Sequence, residues 1–348
     1  APAPAGRVAP ARRAVGPIAV SAPVFVPGGR EVTSEELVAR FPDRGVEDIL
    51  RRTGIASRRF LAEGETLLQL TTRAARAAMT AEGLTLPDLE AIYVATGTPP
   101  AISPSLACLV HHDLAADAPG PDVAASDILA ACSGYLYALQ AAWDLCQQHP
   151  EAAVLVVTAE AMSTFLDPDD FDTAVVFGDA ATATVVRGPA RTEGAWGLLR
   201  RPVLAARGED GTVLRHGEGG TAPIHMDGPR VYQHAVREML RMLDRACREE
   251  GLTVADLDLV VPHQANARII EAVRARSGLG PERFLVNVDR WGNTSSSTIP
   301  LALAELAAGD PGRAGHLGLV AFGAGFTSAA AILDLTGGRE SPEGPLVP

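Results

Sequence analysis

Apolar positions in this chain fall into two alternating patterns: short continuous runs suited to buried strands, and longer stretches with apolar residues at helical spacing. The runs 17–21, 90–95, 122–129 and 152–158 predict strands, and between them 65–82, 105–116 and 135–147 predict helices. At 33–37, Thr-Ser-Glu-Glu-Leu supplies an N-cap and an acidic first turn. Farther on, 229–250 predicts a long helix and 259–262 a buried strand. The apolar stretch 317–335 holds too much Gly, Thr and Ser for a membrane span and predicts two buried strands joined by a turn. Strands alternating with helices predict an α/β fold with mostly parallel pairing and helices covering the sheets.

This order of elements occurs twice. Glu82-Gly-Leu-Thr-Leu-Pro-Asp-Leu-Glu90 and Glu250-Gly-Leu-Thr-Val-Ala-Asp-Leu-Asp258 agree at six of nine positions, and each copy follows a long helix and precedes an apolar strand. The flanking pieces correspond as well: the helix after Cys132 with the segment near Asn293, 152–158 with 316–322, and 173–186 with 325–335. Duplication explains this order better than a chance match of nine residues. The expected organisation is two similar α/β halves, 17–190 and 191–336, with a flexible Ala-Pro-Arg leader or linker over 1–16 and a flexible tail over 337–348. Two facing copies bring equivalent loops to a common seam, where ligands of open α/β sheets gather.

Composition narrows the chemistry. With 348 residues, 47% of them hydrophobic and 21% charged, the chain can bury a large core, and a net charge of −12 disfavours nucleic acid as a partner. All thirty basic residues are Arg. Without lysine there is no Schiff base, no pyridoxal phosphate attachment and no P-loop lysine, although GC-rich coding accounts for the bias itself. Cys108, Cys132, Cys146 and Cys247 have no C-x-x-C spacing, which fits a reducing cytoplasm with neither structural metal nor disulfides. No basic stretch followed by an apolar core opens the chain, so no secretory signal is expected. Its start on Ala rather than Met fits either processing or excision from a longer polypeptide.

Three seam loops carry reactive side chains. Ala130-Ala-Cys-Ser-Gly134 puts a thiol where a strand hands over to a helix, among free N–H groups at the positive end of the helix dipole. That position favours thiolate and offers donors for an oxyanion, whereas the plain alternative is a buried cysteine that only packs. His263, in Val261-Pro-His-Gln-Ala-Asn266, follows a buried strand and precedes a helix, a place where a histidine taken alone is more often structural than catalytic. Asn293, in Trp291-Gly-Asn-Thr-Ser-Ser-Ser297, stands at the place matching Cys132 in the second half. Together, Cys, His and Asn from three loops suit acyl transfer. A papain-like protease uses the same residue types, but no Cys-Gly-Ser-Cys-Trp-like run surrounds Cys132, and that reading leaves the duplication unexplained.

These segments, with Arg52-Thr-Gly-Ile55, Phe177-Gly-Asp179, Gly292-Asn-Thr-Ser295 and Ala321-Phe-Gly-Ala-Gly-Phe-Thr327 in the same order, make the chain resemble the β-ketoacyl-acyl carrier protein synthase III family of the thiolase superfamily. The resemblance covers nearly the whole chain. It implies a thiolase-like five-layered αβαβα fold built from two duplicated halves, a homodimer, no permanently bound cofactor or metal, and thioesters of coenzyme A or acyl carrier protein as substrates. By the same resemblance, Cys132 takes an acyl group, with its own N–H and that of Ala324 as oxyanion hole. His263 and Asn293 then bind the carbonyl of a malonyl-type thioester and stabilise the enolate formed as carbon dioxide leaves, a role suited to neutral N–H donors. The carbanion attacks the acyl-cysteine.

Departures from the family pattern bear on the substrate. Where relatives stack coenzyme A adenine between a Trp and an Arg, this chain holds Asp48 and Phe171; Arg52 remains. This favours a carrier-protein donor and a role in polyketide or specialised fatty-acyl biosynthesis. Ser103 stands where relatives often carry a Phe from the dimer loop at the end of the acyl pocket, which implies room for a longer or branched acyl group. Ala324 replaces a common Gly. Arg268 matches a carrier-docking position, while nearby Arg274 and Arg276 read equally as a solvated face. The competing function is an acyltransferase on the same fold that moves the acyl group to an alcohol or amine without condensation. A non-enzymatic scaffold subunit is a third reading, against which Cys132 argues.

Overall fold

The computed structural model describes residues 16–116, 122–216, 223–310, 312–313 and 315–337. The leader expected over 1–16 and the tail expected over 337–348 lie outside the described residues, apart from Gly16 and Gly337.

Local signals set the element ends. Thr66 accepts from the Gln69 N–H while the Gln69 side chain accepts from the Thr66 N–H, and this capping box opens the helix Leu67–Ala81. Side chains of Ser105 and Thr33 cap Leu106–Ala115 and Ser34–Val38. The strand Ala153–Ala161 is buried on both faces: Val154 and Val156 join one apolar cluster, while Leu155 and Val157 join another. Such a strand needs no polar alternation, which is why it reads as one apolar run.

The helices Gly134–Gln148 and Thr298–Gly309 form the middle layer, contributing Leu136, Leu139, Ile299 and Leu303 to a core shared with strands of both halves. Leu67–Ala81 and Leu106–Ala115 cover the outer face of the first half. Gly228–Glu249 and Ala267–Ser277 cover that of the second. The result is the five-layered αβαβα arrangement of the thiolase fold.

Hydrogen-bonded strands follow the order Leu259–Pro262, His316–Gly323, Thr327–Asp334, Gly197–Leu199, Ile18–Val20, Asp179–Arg187, Ala153–Ala161, Ala91–Ala95 and Ala124–Ile128. About the antiparallel pair of Ile18–Val20 with Gly197–Leu199, the order reads alike in both directions. The partner of Ala124–Ile128 in that symmetry is reduced to one parallel bridge, Val260 to Phe284. Among the described strand pairs, parallel pairing is confined to Ala91–Ala95 with its two neighbours and Leu259–Pro262 with His316–Gly323. The expectation of mostly parallel pairing therefore fails. His316–Gly323 and Thr327–Asp334 are joined by the short turn Ala324–Phe326, which cannot make the crossover that a parallel pair requires. Among the described residues, no helix is long and apolar enough to cross a membrane.

Candidate active site

Two equivalent turns meet where the middle helices begin. Ala131 (φ 45°) and Ser295 (φ 51°) both adopt the left-handed region, and each is followed by a helical entry: Ser133 (−86°, −2°) and Gly134 (−53°, −42°) in the first half, Ser297 (−81°, −9°) and Thr298 (−63°, −46°) in the second. This pattern sets Ser296 at the place equivalent to Cys132, with Asn293 earlier in the same turn. Sequence matching had the segment right and the residue shifted. The turns touch so closely that a Cβ on Gly134 would lie 3.0 Å from the Ala95 Cβ and 3.1 Å from the Ser296 Cβ.

Cys132 lies in the turn Ala131–Ser133 and is buried. The loop after His316–Gly323 packs directly on it: a Cβ on Gly323 would stand 2.7 Å from the Cys132 nitrogen, an approach open only to glycine. Thr327 Oγ1 donates to the Ala130 carbonyl at 3.1 Å, and Ser133 Oγ donates to the Thr327 carbonyl at 3.1 Å, pinning this loop to the Cys132 turn. Ala324, in the same loop, is not among the left-handed residues, so its Cβ is accommodated without backbone strain. Burial pushes the Cys132 thiol up to about 12; a hydrogen bond from Ser295 draws it down and the Glu160 charge raises it. Desolvation thus opposes the thiolate expected from the helix end, and the resting group is a thiol.

His263 follows Leu259–Pro262 and is 2% exposed. Its N–H donates to the Val320 carbonyl at 2.8 Å, and its Nδ1 shares a 2.7 Å hydrogen bond with Thr298 Oγ1. The Thr298 hydroxyl also donates to the Ser295 carbonyl at 3.2 Å, so Nδ1 is engaged and Nε2 is the ring nitrogen left without a hydrogen bond among the described residues. Burial holds the imidazole down to about 3, so it is neutral near pH 7. Asn293 is also buried, and its Oδ1 accepts from the Ser295 N–H at 2.9 Å, which leaves the amide NH2 group as the free end.

A cavity of about 490 Å³ brings Cys132, His263 and Asn293 together, with Arg52, Asn266 and Arg268 also on its wall. A second cavity of about 360 Å³ meets it at Cys132 and is lined by Leu129, Met162, Phe177, Ile224 and Ala324. Arg52 pairs with Asp172 at 2.5 Å and lies over the Phe171 ring, 5.4 Å from its centroid. Phe171 is itself buried edge-on against Phe41, beneath Arg52 and outside the cavity wall. Asp48 accepts from the Gly45 N–H and pairs with Arg51, closing the first turn of Val46–Thr53. Ser103 sits on an exposed loop away from both cavities of the single chain. Arg274 is engaged by Glu271, whereas Arg268 is exposed at the cavity wall.

Sequence reasoning missed the groups that orient this trio. Ser295 holds Asn293 and Thr298 holds His263, while the buried Glu160 holds Ser296 of the turn that carries them. A carboxylate ending the apolar run at 153–161 and an unbroken Ser-Ser-Ser at 295–297 were the available signals.

The chain is similar to known proteins over most of its length. Residues 126–200 match the family model for 3-oxoacyl-[acyl-carrier-protein] synthase III, and residues 247–335 match the model for its C-terminal part. The β-ketoacyl-[acyl-carrier-protein] synthase III of Oleidesulfovibrio alaskensis is 38% identical over 320 residues, covering 87% of this chain and 94% of that protein. The crystal structure of the Aquifex aeolicus 3-oxoacyl-[acyl-carrier-protein] synthase III superposes with a TM-score of 0.83 at 34% identity, covering 91% of this chain and 99% of that one. A priming β-ketosynthase from the R1128 polyketide pathway gives 0.81 at 30% identity, covering 96% and 100%. On this similarity and the shared thiolase fold, the chain belongs to the 3-oxoacyl-[acyl-carrier-protein] synthase III family.

Proposed function

We propose that this protein is a decarboxylative condensing enzyme of polyketide or specialised fatty-acyl biosynthesis, acylated on Cys132. The observation that carries the reading is the convergence of Cys132 with a neutral His263 and an oriented Asn293 on one cavity. In the first stage the Cys132 sulfur attacks the donor thioester carbonyl, and the Cys132 and Ala324 N–H groups hold the oxyanion. The carbon–sulfur bond of the donor breaks, and the thiol proton of Cys132 ends on the departing carrier thiol. In the second stage the Nε2–H of His263 and the amide of Asn293 donate to the carbonyl of a malonyl-type thioester. Its carboxylate leaves as carbon dioxide, the enolate carbon bonds to the acyl carbonyl, and the released Cys132 thiolate takes a proton from water. The product is a β-ketoacyl thioester.

Asp48 is occupied as a helix cap and the Phe171 ring is buried, so neither offers a stacking face for adenine. That supports acyl carrier protein over coenzyme A as the donor's carrier, with Arg268 in contact with the acidic carrier and Arg52 at the cavity wall. The apolar second cavity suits the acyl chain. The protein is proposed to act as a homodimer that brings Ser103 of one subunit toward the acyl pocket of the other.

The test incubates the protein with acyl-coenzyme A and acyl-carrier protein donors, measures the mass of the Cys132 peptide, and then adds malonyl-carrier protein. An acylated Cys132 peptide followed by release of carbon dioxide is expected. Unchanged turnover in Cys132→Ala would sink the mechanism. Acylation without malonyl consumption, but with esterification of an added alcohol or amine, would make the protein an acyltransferase instead.

A further inference from the structure

Behind the reacting groups lies a carboxylate that lines neither cavity. Glu160, on Ala153–Ala161, is fully buried. Its Oε2 accepts from the Gly97 N–H at 3.0 Å and from Thr98 Oγ1 at 3.1 Å, both in the first half. Its Oε1 accepts from Ser296 Oγ at 2.6 Å and the Ser296 N–H at 3.3 Å, in the second half. A buried carboxylate is costly unless its oxygens are hydrogen-bonded, so these donors tie the two halves together at one point.

Ser296 occupies the place that Cys132 holds in the first half, yet its hydroxyl is buried and committed to Glu160. It anchors the turn from which the site is hung. Immediately before it, the Ser295 N–H holds Asn293 Oδ1 at 2.9 Å. Two residues after it, Thr298 Oγ1 holds His263 Nδ1 at 2.7 Å. Between them, Ser297 Oγ makes a second tie to the same strand, 2.7 Å from Thr158 Oγ1.

We propose that Glu160 and Ser296 are a positioning pair for the condensing step: the carboxylate clamps the 294–297 turn so that the Asn293 amide and the His263 Nε2–H converge on one point of the cavity. The proposal rests on the roles given above to Asn293 and His263. Because the pair never meets the substrate, it sets the geometry of the enolate site and leaves the affinity for the malonyl carrier alone. Displacing a donor by a fraction of an ångström weakens it mainly as charge develops.

The test compares Glu160→Gln, Ser296→Ala and the double variant with the parental protein. Acylation of the Cys132 peptide is followed by mass, carbon dioxide release from malonyl-acyl carrier protein gives kcat and KM, and a thermal melt reports folding. Each single variant is expected to keep acylation and to lose on the order of tenfold to a hundredfold in kcat for carbon dioxide release, with KM within about twofold. The double variant is expected to be no worse than the weaker single, because the pair acts as a unit. A kcat within about twofold of parental in Ser296→Ala, an effect on KM alone, or losses that multiply in the double variant overturn the proposal. Should Glu160→Gln fail to fold, Ser296→Ala, which removes only a hydroxyl, decides by the same kcat criterion. Unimpaired formation of the β-ketoacyl thioester in Cys132→Ala overturns the reading of the site and this proposal with it, whereas unaffected clamp variants in a Cys132-dependent enzyme overturn this proposal alone.

Discussion

His263 makes the protein's stability depend on pH through a single buried ring. Its folded pKa of about 3 lies below the ordinary value of 6.5 because burial penalises the imidazolium. Between those values the unfolded chain binds a proton that the folded chain refuses, so the contribution is intact above about 6.5 and is lost as the pH falls toward 3. The slope approaches about 1.4 kcal/mol per pH unit within that window. Glu160 and Asp179, both raised by burial, work in the opposite sense, so the histidine is read by difference. Urea midpoints of the parental protein and His263→Gln, compared at pH 7.5, 6 and 5, are expected to show a steeper acid loss in the parental protein. Parallel lines would remove His263 as the cause. At this scale the candidate trio was legible because Cys132, His263 and Asn293 each stand at the end of a strand or the start of a helix-entry turn. Glu160, Ser295 and Thr298 were not, since what they do depends on contacts between segments far apart in the chain, as in the pairing of Glu160 with Ser296.

The two middle helices depend on close approach at their starts. Gly134 has helical dihedrals, so its lack of a side chain is a packing requirement rather than a backbone one. A Cβ there already presses on the Ala95 and Ser296 Cβ atoms, and a branched side chain has no direction in which to relax. Gly134→Val is expected to cost about 1–3 kcal/mol by overpacking, even though Gly is a poor helix former, and to lower turnover by separating the two turns. Urea unfolding with a midpoint equal to that of the parental protein would show that the seam yields. Element types were readable from the apolar pattern, and the capping signal at Thr33 fixed the start of Ser34–Val38. Strand direction was not readable from that pattern. A turn as short as Ala324–Phe326 looks, in sequence, like the loose small-residue loop that also joins parallel strands.

Viewed as a whole, the molecule has an open edge. The order of strands ends at Ala124–Ile128, which among the described residues pairs only with Ala91–Ala95 and leaves its other side unpaired. Leu129, which follows this strand, stands in solvent at 78% exposure, and Ile102, in the loop before Leu106–Ala115, at 96%. An unpaired strand followed by an exposed apolar group is a template for association, and a two-fold axis through it would let the strand pair with its own copy. Leu129 also lines the second cavity, so the edge and the cavity proposed for the acyl chain share a wall. The duplication and this symmetric strand order were legible from Glu82–Glu90 and its repeat, but an exposed edge is a property of the assembled sheet and has no mark in the pattern of a single strand. The protein is therefore expected to behave as a dimer in light scattering at micromolar concentration. Ile102→Glu, which places a charge on the exposed loop and touches neither cavity, is expected to raise the dimer dissociation constant by about tenfold or more and to make specific activity fall on dilution. A parental protein that is monomeric and fully active at the same concentration would overturn the dimer and leave the acyl pocket complete within one chain.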